Sequence, residues 1–261
     1  MINIEDLIKI CENAGNKIMD IYESTDISKM EIEYKDDKSP LTLADKEANK
    51  IICKSLIKID PEIPILSEEG AKISYENRKT WTKFWLIDPI DGTKEFIKKN
   101  GEFTINIALI ENQKPTLGIV YAPVLNKYWF GSKKGAFKLE NGRKQKINVN
   151  QELGKTIKVV ASRSHKSPKL NSFLSNFDKY ELVSMGSSIK ICLVAEGSAD
   201  IYPRLAPTME WDTAAAHAVL KFANGSLIDL KSKKEMIYNR KDLKNSFFIA
   251  NSQLDLKEML I

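Results

Sequence analysis

The segment Trp85-Leu86-Ile87-Asp88-Pro89-Ile90-Asp91-Gly92-Thr93 holds the densest set of groups able to do chemistry in this chain. An apolar, strand-like run enters one acid, a proline and a second acid, and Gly-Thr then opens an expected helix. Two carboxylates so spaced at a strand end can address one point, with the Ile90 carbonyl between them. Hard divalent cations favour such an all-oxygen donor set. Free N–H groups of Gly92 and Thr93 at a helix start would form an anion site beside it. Cation ligands next to an anion cradle are what hydrolysis of a phosphate ester requires. A single Asp here would read as an ordinary helix cap; two acids around Pro, followed by Gly-Thr, argue for chemistry.

Further carboxylates are candidates for the same place. Glu68, in Ser67-Glu68-Glu69-Gly70, leaves the apolar run Ile63-Pro64-Ile65-Leu66, a short strand end. Asp212, in Glu210-Trp211-Asp212-Thr213, reads as the cap of an alanine-rich helix. Asp45 falls in the first turn of the helix that follows Ser39-Pro40-Leu41-Thr42, where helix-dipole matching alone would explain it. Arg204, after Ile201-Tyr202-Pro203, is a candidate cation near the site. His217 sits on the alanine face of its helix and is expected to be a packing residue.

Together these motifs resemble the inositol-monophosphatase superfamily of Mg²⁺-dependent, lithium-sensitive phosphatases. The resemblance rests on Asp88-Pro89-Ile90-Asp91-Gly92-Thr93, Glu68-Glu69, Thr42-x-x-Asp45 and Trp211-Asp212-Thr213-Ala214-Ala215, in matching order across nearly the whole chain. A narrower similarity is to the 3'(2'),5'-bisphosphate nucleotidases of the CysQ type. Its carriers are Lys94-Glu95-Phe96-Ile97, Asn100-Gly101-Glu102-Phe103-Thr104, Ser162-Arg163-Ser164-His165, Gly186-Ser187-Ser188-Ile189-Lys190 and Leu193-Val194-Ala195-Glu196-Gly197.

The resemblance implies that Glu68, Asp88, Asp91 and Asp212, with the Ile90 carbonyl, ligate two or three Mg²⁺ ions. It also implies that Asp45 and Thr93 orient and help deprotonate the attacking water, whose pKa a bound cation lowers. Gly92 and Thr93 would hold the transferring phosphoryl group, and Ser162, His165, Gly186, Lys190 and Asp212 would contact the nucleotide. The implied reaction is hydrolysis of 3'-phosphoadenosine 5'-phosphate to AMP and phosphate. An inositol monophosphatase or another small sugar phosphatase is the alternative within enzymes. A non-catalytic regulator on the same fold is the alternative outside them, although such a relative would be expected to have lost an acid or Thr93.

The elements that must position these groups are partly readable. Ile4, Leu7, Ile8, Cys11, Ala14, Ile18 and Ile21 fall at three- and four-residue steps, an amphipathic helix. Ala44, Ala48, Ile51, Ile52, Leu56 and Ile59 mark a second helix ending before Pro61. Runs rich in strand formers follow at Trp85 to Asp88, Phe103 to Ile110 and Leu117 to Tyr121, and Asn141-Gly142 reads as a hairpin turn. From Ile157 onward, strands near 157–160, 180–185, 199–203, 226–230 and 246–250 alternate with helices at 187–196 and 211–223. The order predicts a mixed α/β fold, two layers of sheet separated and flanked by helices in an αβαβα sandwich. The halves expected are 1–150, with the main metal-binding motifs, and 151–261, with the substrate residues and the last ligand.

Bulk properties narrow the function classes. A net charge of +5, from 40 basic and 35 acidic residues, argues against a dedicated binder of nucleic-acid polymers. Cys11, Cys53 and Cys192 are too few and scattered for a disulfide framework and are expected to be packing residues. The start Met1-Ile2-Asn3-Ile4-Glu5-Asp6 lacks signal-peptide character, and no apolar run approaches the roughly 20 residues of a membrane span. A cytoplasmic monomer or homodimer is expected, the resemblance implying a small nucleotide substrate, and peripheral membrane association is compatible with the sequence. Lys231 to Lys234 reads as a solvated turn.

Overall fold

The computed structural model describes residues 2–24, 32–34, 40–70, 72–152, 154–162 and 168–252. α1 (Ile4–Tyr22) buries the stripe Leu7, Ile10, Cys11, Ala14, Ile18 and Ile21, and Asn3 caps it by accepting the Glu5 N–H at 3.3 Å. A short antiparallel pair, β1 (Glu33–Tyr34) and β2 (Pro40–Leu41), leads into α2 (Leu43–Ile59). Ala44, Ala48, Ile52 and Leu56 form the buried face of α2.

Next come β3 (Ile65–Ser67), α3 (Tyr75–Arg78), β4 (Lys83–Asp91) and α4 (Thr93–Ile97). The strands β5 (Thr104–Glu111), β6 (Lys114–Ala122), β7 (Lys127–Ser132), β8 (Gly135–Glu140) and β9 (Arg143–Ile147) follow. β3 to β9 make a seven-stranded sheet in chain order, antiparallel throughout except for the parallel β3–β4 pair. Asn141 and Gly142 turn between β8 and β9 at φ of 51° and 72°, the left-handed pair a tight hairpin uses.

The second half adds β10 (Ile157–Ser162), α5 (Pro168–Leu174), β11 (Tyr180–Met185), α6 (Ile189–Ala195), β12 (Ile201–Arg204) and α7 (Glu210–Phe222). It finishes with β13 (Ser226–Asp229), β14 (Lys234–Glu235) and β15 (Phe248–Asn251). Its six-stranded sheet runs β11-β10-β12-β15-β13-β14.

Alternation along the strands divides the apolar residues among three cores. Trp85, Ile87, Ile105, Ile107 and Ile119 face α1 and α2. Phe84, Leu86, Ala108, Ile110 and Val120 face the other way, onto α6 and α7, which also cover Val160, Tyr202 and Phe248 of the second sheet. Ile157, Val159, Ile201 and Ile249 pack outward against Leu170, Phe173 and Leu174 of α5. The result is the expected αβαβα layering. α7 lies so close to the first sheet that a Cβ on Gly118 would sit 2.4 Å from the Ala215 carbonyl oxygen, which explains the run of alanines on that helix.

β7 and α5 go beyond the sequence expectation. Among the described residues no helix is long and apolar enough to cross a membrane. Cys11 and Cys192 are buried and Cys53 half-buried, all three free thiols. Residues 231–233 form an exposed turn, and Lys234, equally exposed, begins β14.

Candidate active site

The motif on β4 works because the strand is irregular there. Asp88 lies opposite Asn106 and Asp91 opposite Thr104, so β4 advances three residues while β5 advances two. In a regular strand, residues three apart face opposite sides; one extra residue resets the phase, and both acids can then address the same side. Pro89 has no N–H to give the ladder and sits within the interruption. Ile90 donates its N–H to Asp88 Oδ1 at 3.0 Å, fixing that carboxylate. Gly92 then turns the chain into α4 at φ 95°, with its Cα hydrogens against the Glu102 carbonyl, 3.2 Å from where a Cβ would stand.

Glu68 arrives on the loop after β3 and donates its N–H to the Ile87 carbonyl at 3.1 Å. Asp212 comes from α7. It is not the cap residue expected from the sequence: Met209 holds that position, and Asp212, third in the helix, accepts the Met209 N–H at 2.9 Å. Oxygens of Glu68, Asp88 and Asp212 lie within 4.8 Å of one another. Asp45, third in α2, accepts the Thr42 N–H at 2.8 Å and the Thr42 hydroxyl on Oδ2. Its other oxygen faces the Thr93 hydroxyl at 3.3 Å, and that hydroxyl lies equally 3.3 Å from the Ile90 carbonyl. Thr93 has one proton for two acceptors.

Crowding acids in a buried place shifts their ionisation. Burial first, then the charges of Glu68, Asp91, Asp212 and Asp45, raise the Asp88 carboxyl well above the ordinary range. Asp212 is raised by burial and then by Asp91 and Glu68. Burial pushes Asp91 up to about 6, although Lys190 and the Ser188 N–H oppose the rise. An all-oxygen cluster of acids whose buried carboxylates resist ionisation without a cation fits hard divalent cations such as Mg²⁺.

Beside the acids lies a cleft of about 290 Å³, lined among others by Asp91, Gly186, Ser188, Lys190, Tyr202 and Arg204. Lys190 is 6% exposed, and burial lowers its ammonium to about 8, with Asp91 opposing the shift and Arg204 adding to it. Its Nζ stands 5.6 Å from the centre of the Tyr202 ring. Arg204 donates to the Pro207 carbonyl at 3.0 Å from the cleft wall, so the structure brings this candidate to the site. Gly186 lines the cleft and also packs closely, since a Cβ there would lie 2.7 Å from the Glu102 carbonyl oxygen. Ser162 ends β10 opposite Met185, the residue before Gly186. His165 lies outside the described residues.

His217 is fully buried but is more than a packing residue. Nδ1 is 2.8 Å from the Tyr238 hydroxyl and Nε2 is 2.7 Å from Glu235. Sequence reasoning missed Tyr202 and the network in which Ser188 Oγ lies 2.7 Å from Asn106 Oδ1 and 2.8 Å from Thr104 Oγ1. A signal existed: Thr104 and Asn106 are polar side chains on the strand face that continues as Ala108 and Ile110.

The sequence matches the inositol monophosphatase family over residues 3–261. The chain belongs to the inositol monophosphatase family. Its relatives within the family include the 3'(2'),5'-bisphosphate nucleotidase CysQ of Salmonella typhimurium. That protein is 45% identical over 230 residues, 88% of this chain and 92% of the relative. The protein of that name from Escherichia coli K12 is 44% identical with the same coverage. The crystal structure of CysQ from Bacteroides thetaiotaomicron, another family member, superposes with a TM-score of 0.84 at 40% identity, over 96% of this chain and 97% of that one. The Thermotoga maritima IMPase, 24% identical with a TM-score of 0.76, shares the family fold across 98% of this chain and 94% of its own.

Proposed function

We propose that this chain is a Mg²⁺-dependent 3'(2'),5'-bisphosphate nucleotidase that converts 3'-phosphoadenosine 5'-phosphate to AMP and phosphate. The observation that carries the proposal is the convergence of Glu68, Asp88 and Asp212 within 4.8 Å. Asp91, Lys190 and Asp212 line the adjoining cleft. The names of the relatives at 44–45% identity support the substrate class.

In this reading Glu68, Asp88, Asp91, Asp212 and the Ile90 carbonyl hold the metal. Bound Mg²⁺ supplies positive charge to the phosphoryl oxygens and lowers the pKa of the attacking water. Thr93 and Asp45 are the proton acceptors. The Thr93 hydroxyl takes the proton of the attacking water while its own passes to Asp45 Oδ1, 3.3 Å away. Oδ2 of Asp45 already accepts from Thr42, so the carboxylate is held with one oxygen turned to Thr93.

Gly92 and Thr93 offer N–H groups to the phosphoryl group. Lys190 neutralises the second phosphate, and Ser162, His165 and Gly186 form the nucleotide side. Residues 1–150 supply most of the metal ligands, and residues 151–261 supply Asp212 and the nucleotide contacts. The test is phosphate release with Mg²⁺ from 3'-phosphoadenosine 5'-phosphate and inositol 1-phosphate, side by side. A clear preference for the nucleotide is expected. Preference for the inositol ester would keep the mechanism and overturn the substrate, and silence on both would refute the catalytic reading.

A further inference from the structure

Glu68 reaches the acid cluster from a loop, whereas Asp88 and Asp212 are held by a strand and a helix. Such a ligand needs support from outside its own element to stay within the few tenths of an ångström that a metal site tolerates. On one side the support is β4, through the Glu68 N–H to Ile87 bond. The other side is Asn49. Its Oδ1 accepts the Ser67 hydroxyl at 2.7 Å, and its Nδ2 donates to the Glu69 carbonyl at 3.3 Å. One side chain therefore grips the residues on both sides of Glu68.

The orientation of the amide is dictated by its partners. The Glu69 carbonyl can only accept, so it must face Nδ2, which leaves Oδ1 toward Ser67. The Cys53 thiol donates to that same Oδ1 at 3.3 Å, using its second lone pair. Asn49 stands one helical turn beyond Asp45 on α2, on the same face. The helix that carries the proton acceptor thus also sets the place of the loop ligand. The Gly70 N–H closes the turn onto the Ser67 carbonyl at 3.2 Å, so a displacement of Ser67 moves the whole turn.

We propose that Asn49 is a positioning residue for Glu68, locking the loop 67–70 to α2 so that the Glu68 carboxylate is preorganised for a divalent cation. The inference rests on the reading of Glu68 as a metal ligand. Asn49 does not line the cleft beside the acids. Its removal should therefore appear in cation affinity, with kcat recovered at saturating Mg²⁺.

The experiment is titration calorimetry of Mg²⁺ into the parent chain, Asn49→Ala, Ser67→Ala and the double variant, with melting temperatures in EDTA. Asn49→Ala is expected to weaken Mg²⁺ binding by about 10-fold or more, the usual effect of removing such a supporting partner. Its metal-free melting temperature should stay near the parent's. Ser67→Ala should weaken binding less, and the double variant should bind no worse than Asn49→Ala, because both act through one contact. Mg²⁺ binding by Asn49→Ala within twofold of the parent overturns the inference, as does a fall in melting temperature large enough to account for the lost affinity. If Asn49→Ala fails to fold, Ser67→Ala decides: unchanged Mg²⁺ affinity refutes the clamp. Absence of Mg²⁺ binding by the folded parent would refute the metal reading itself, and this inference with it.

Discussion

Replacing Asp88 by Asn should abolish activity and yet stabilise the metal-free protein. Asp88 is 1% exposed, and oxygens of Glu68 and Asp212 lie within 4.8 Å of its own. At an effective dielectric of about 20, two unit charges at that separation repel by about 3.5 kcal/mol, so two such pairs would cost about 7 kcal/mol if fully ionised. The folded protein escapes some of this by taking up protons, which is why burial and neighbouring acids raise Asp88 well above 3.8.

For Asp91, whose value rises from 3.8 to about 6, the penalty is about 3 kcal/mol. Asn keeps an oxygen for the Ile90 N–H and carries no charge, so the metal-free variant is expected to be more stable at neutral pH by some part of that roughly 7 kcal/mol of repulsion, read as a higher Tm.

The sign follows from carboxyls raised in the folded state. Below about pH 4 both states are protonated and the penalty is absent. As pH rises, the unfolded chain releases its protons first, and stability is lost up through the folded-state values. Thermal unfolding in EDTA at about pH 4.5 and 7.5 should show the parent losing stability across that range and Asp88→Asn losing less. Added Mg²⁺ should rescue the parent at the higher pH. A parent whose Tm in EDTA is flat or rising over that range, with Asp88→Asn no more stable, would refute the reasoning.

Three further outcomes are expected. Thr93→Val removes the hydroxyl between Asp45 and the Ile90 carbonyl, and kcat should fall by about 10²-fold or more with Tm near the parent's; steady-state kinetics at saturating Mg²⁺ checks this. Lys190 carries its charge below about 8, so kcat/KM for the bisphosphate should decline as pH rises through that value. Lys190→Met should raise KM and flatten that region of the profile, and an unchanged profile would remove Lys190 from phosphate binding. Gly186→Ala puts a methyl group 2.7 Å from the Glu102 carbonyl oxygen and should cost about 1–3 kcal/mol in urea unfolding. Parent-like stability would mean that the contact yields freely.

Elements with their own periodicity were readable from the chain. α1 and α2 announce themselves by apolar steps of three and four, and the β8–β9 turn by Asn141-Gly142. β7 carried a signal, the strand formers Tyr128, Trp129 and Phe130, that the sequence expectation left out, whereas α5 carried none. Lys127 to Ser132 pairs on both sides within the sheet, and Pro168 to Leu174 is a short helix held by Phe173 and Leu174 in the outer core. For α5, tertiary contacts supply what local preference lacks. The insertion of β15 between β12 and β13 likewise has no local signature.

At the site, local sequence determined which groups are available: the two acids around Pro89, the Thr42–Asp45 cap, and Glu68 at a strand end. Side-chain type and near neighbours suffice for that. Packing decided what they do. A one-residue slip between β4 and β5 makes Asp91 address the side that Asp88 faces, and the close seat of α7 brings Asp212 to Glu68. Tertiary structure also turned His217 from an apparent packing residue into a hydrogen-bonded one and put Asn49 across the Glu68 loop. Convergence of charges from distant segments is a property of interlocked layers, and burial in those layers is what shifts their ionisation.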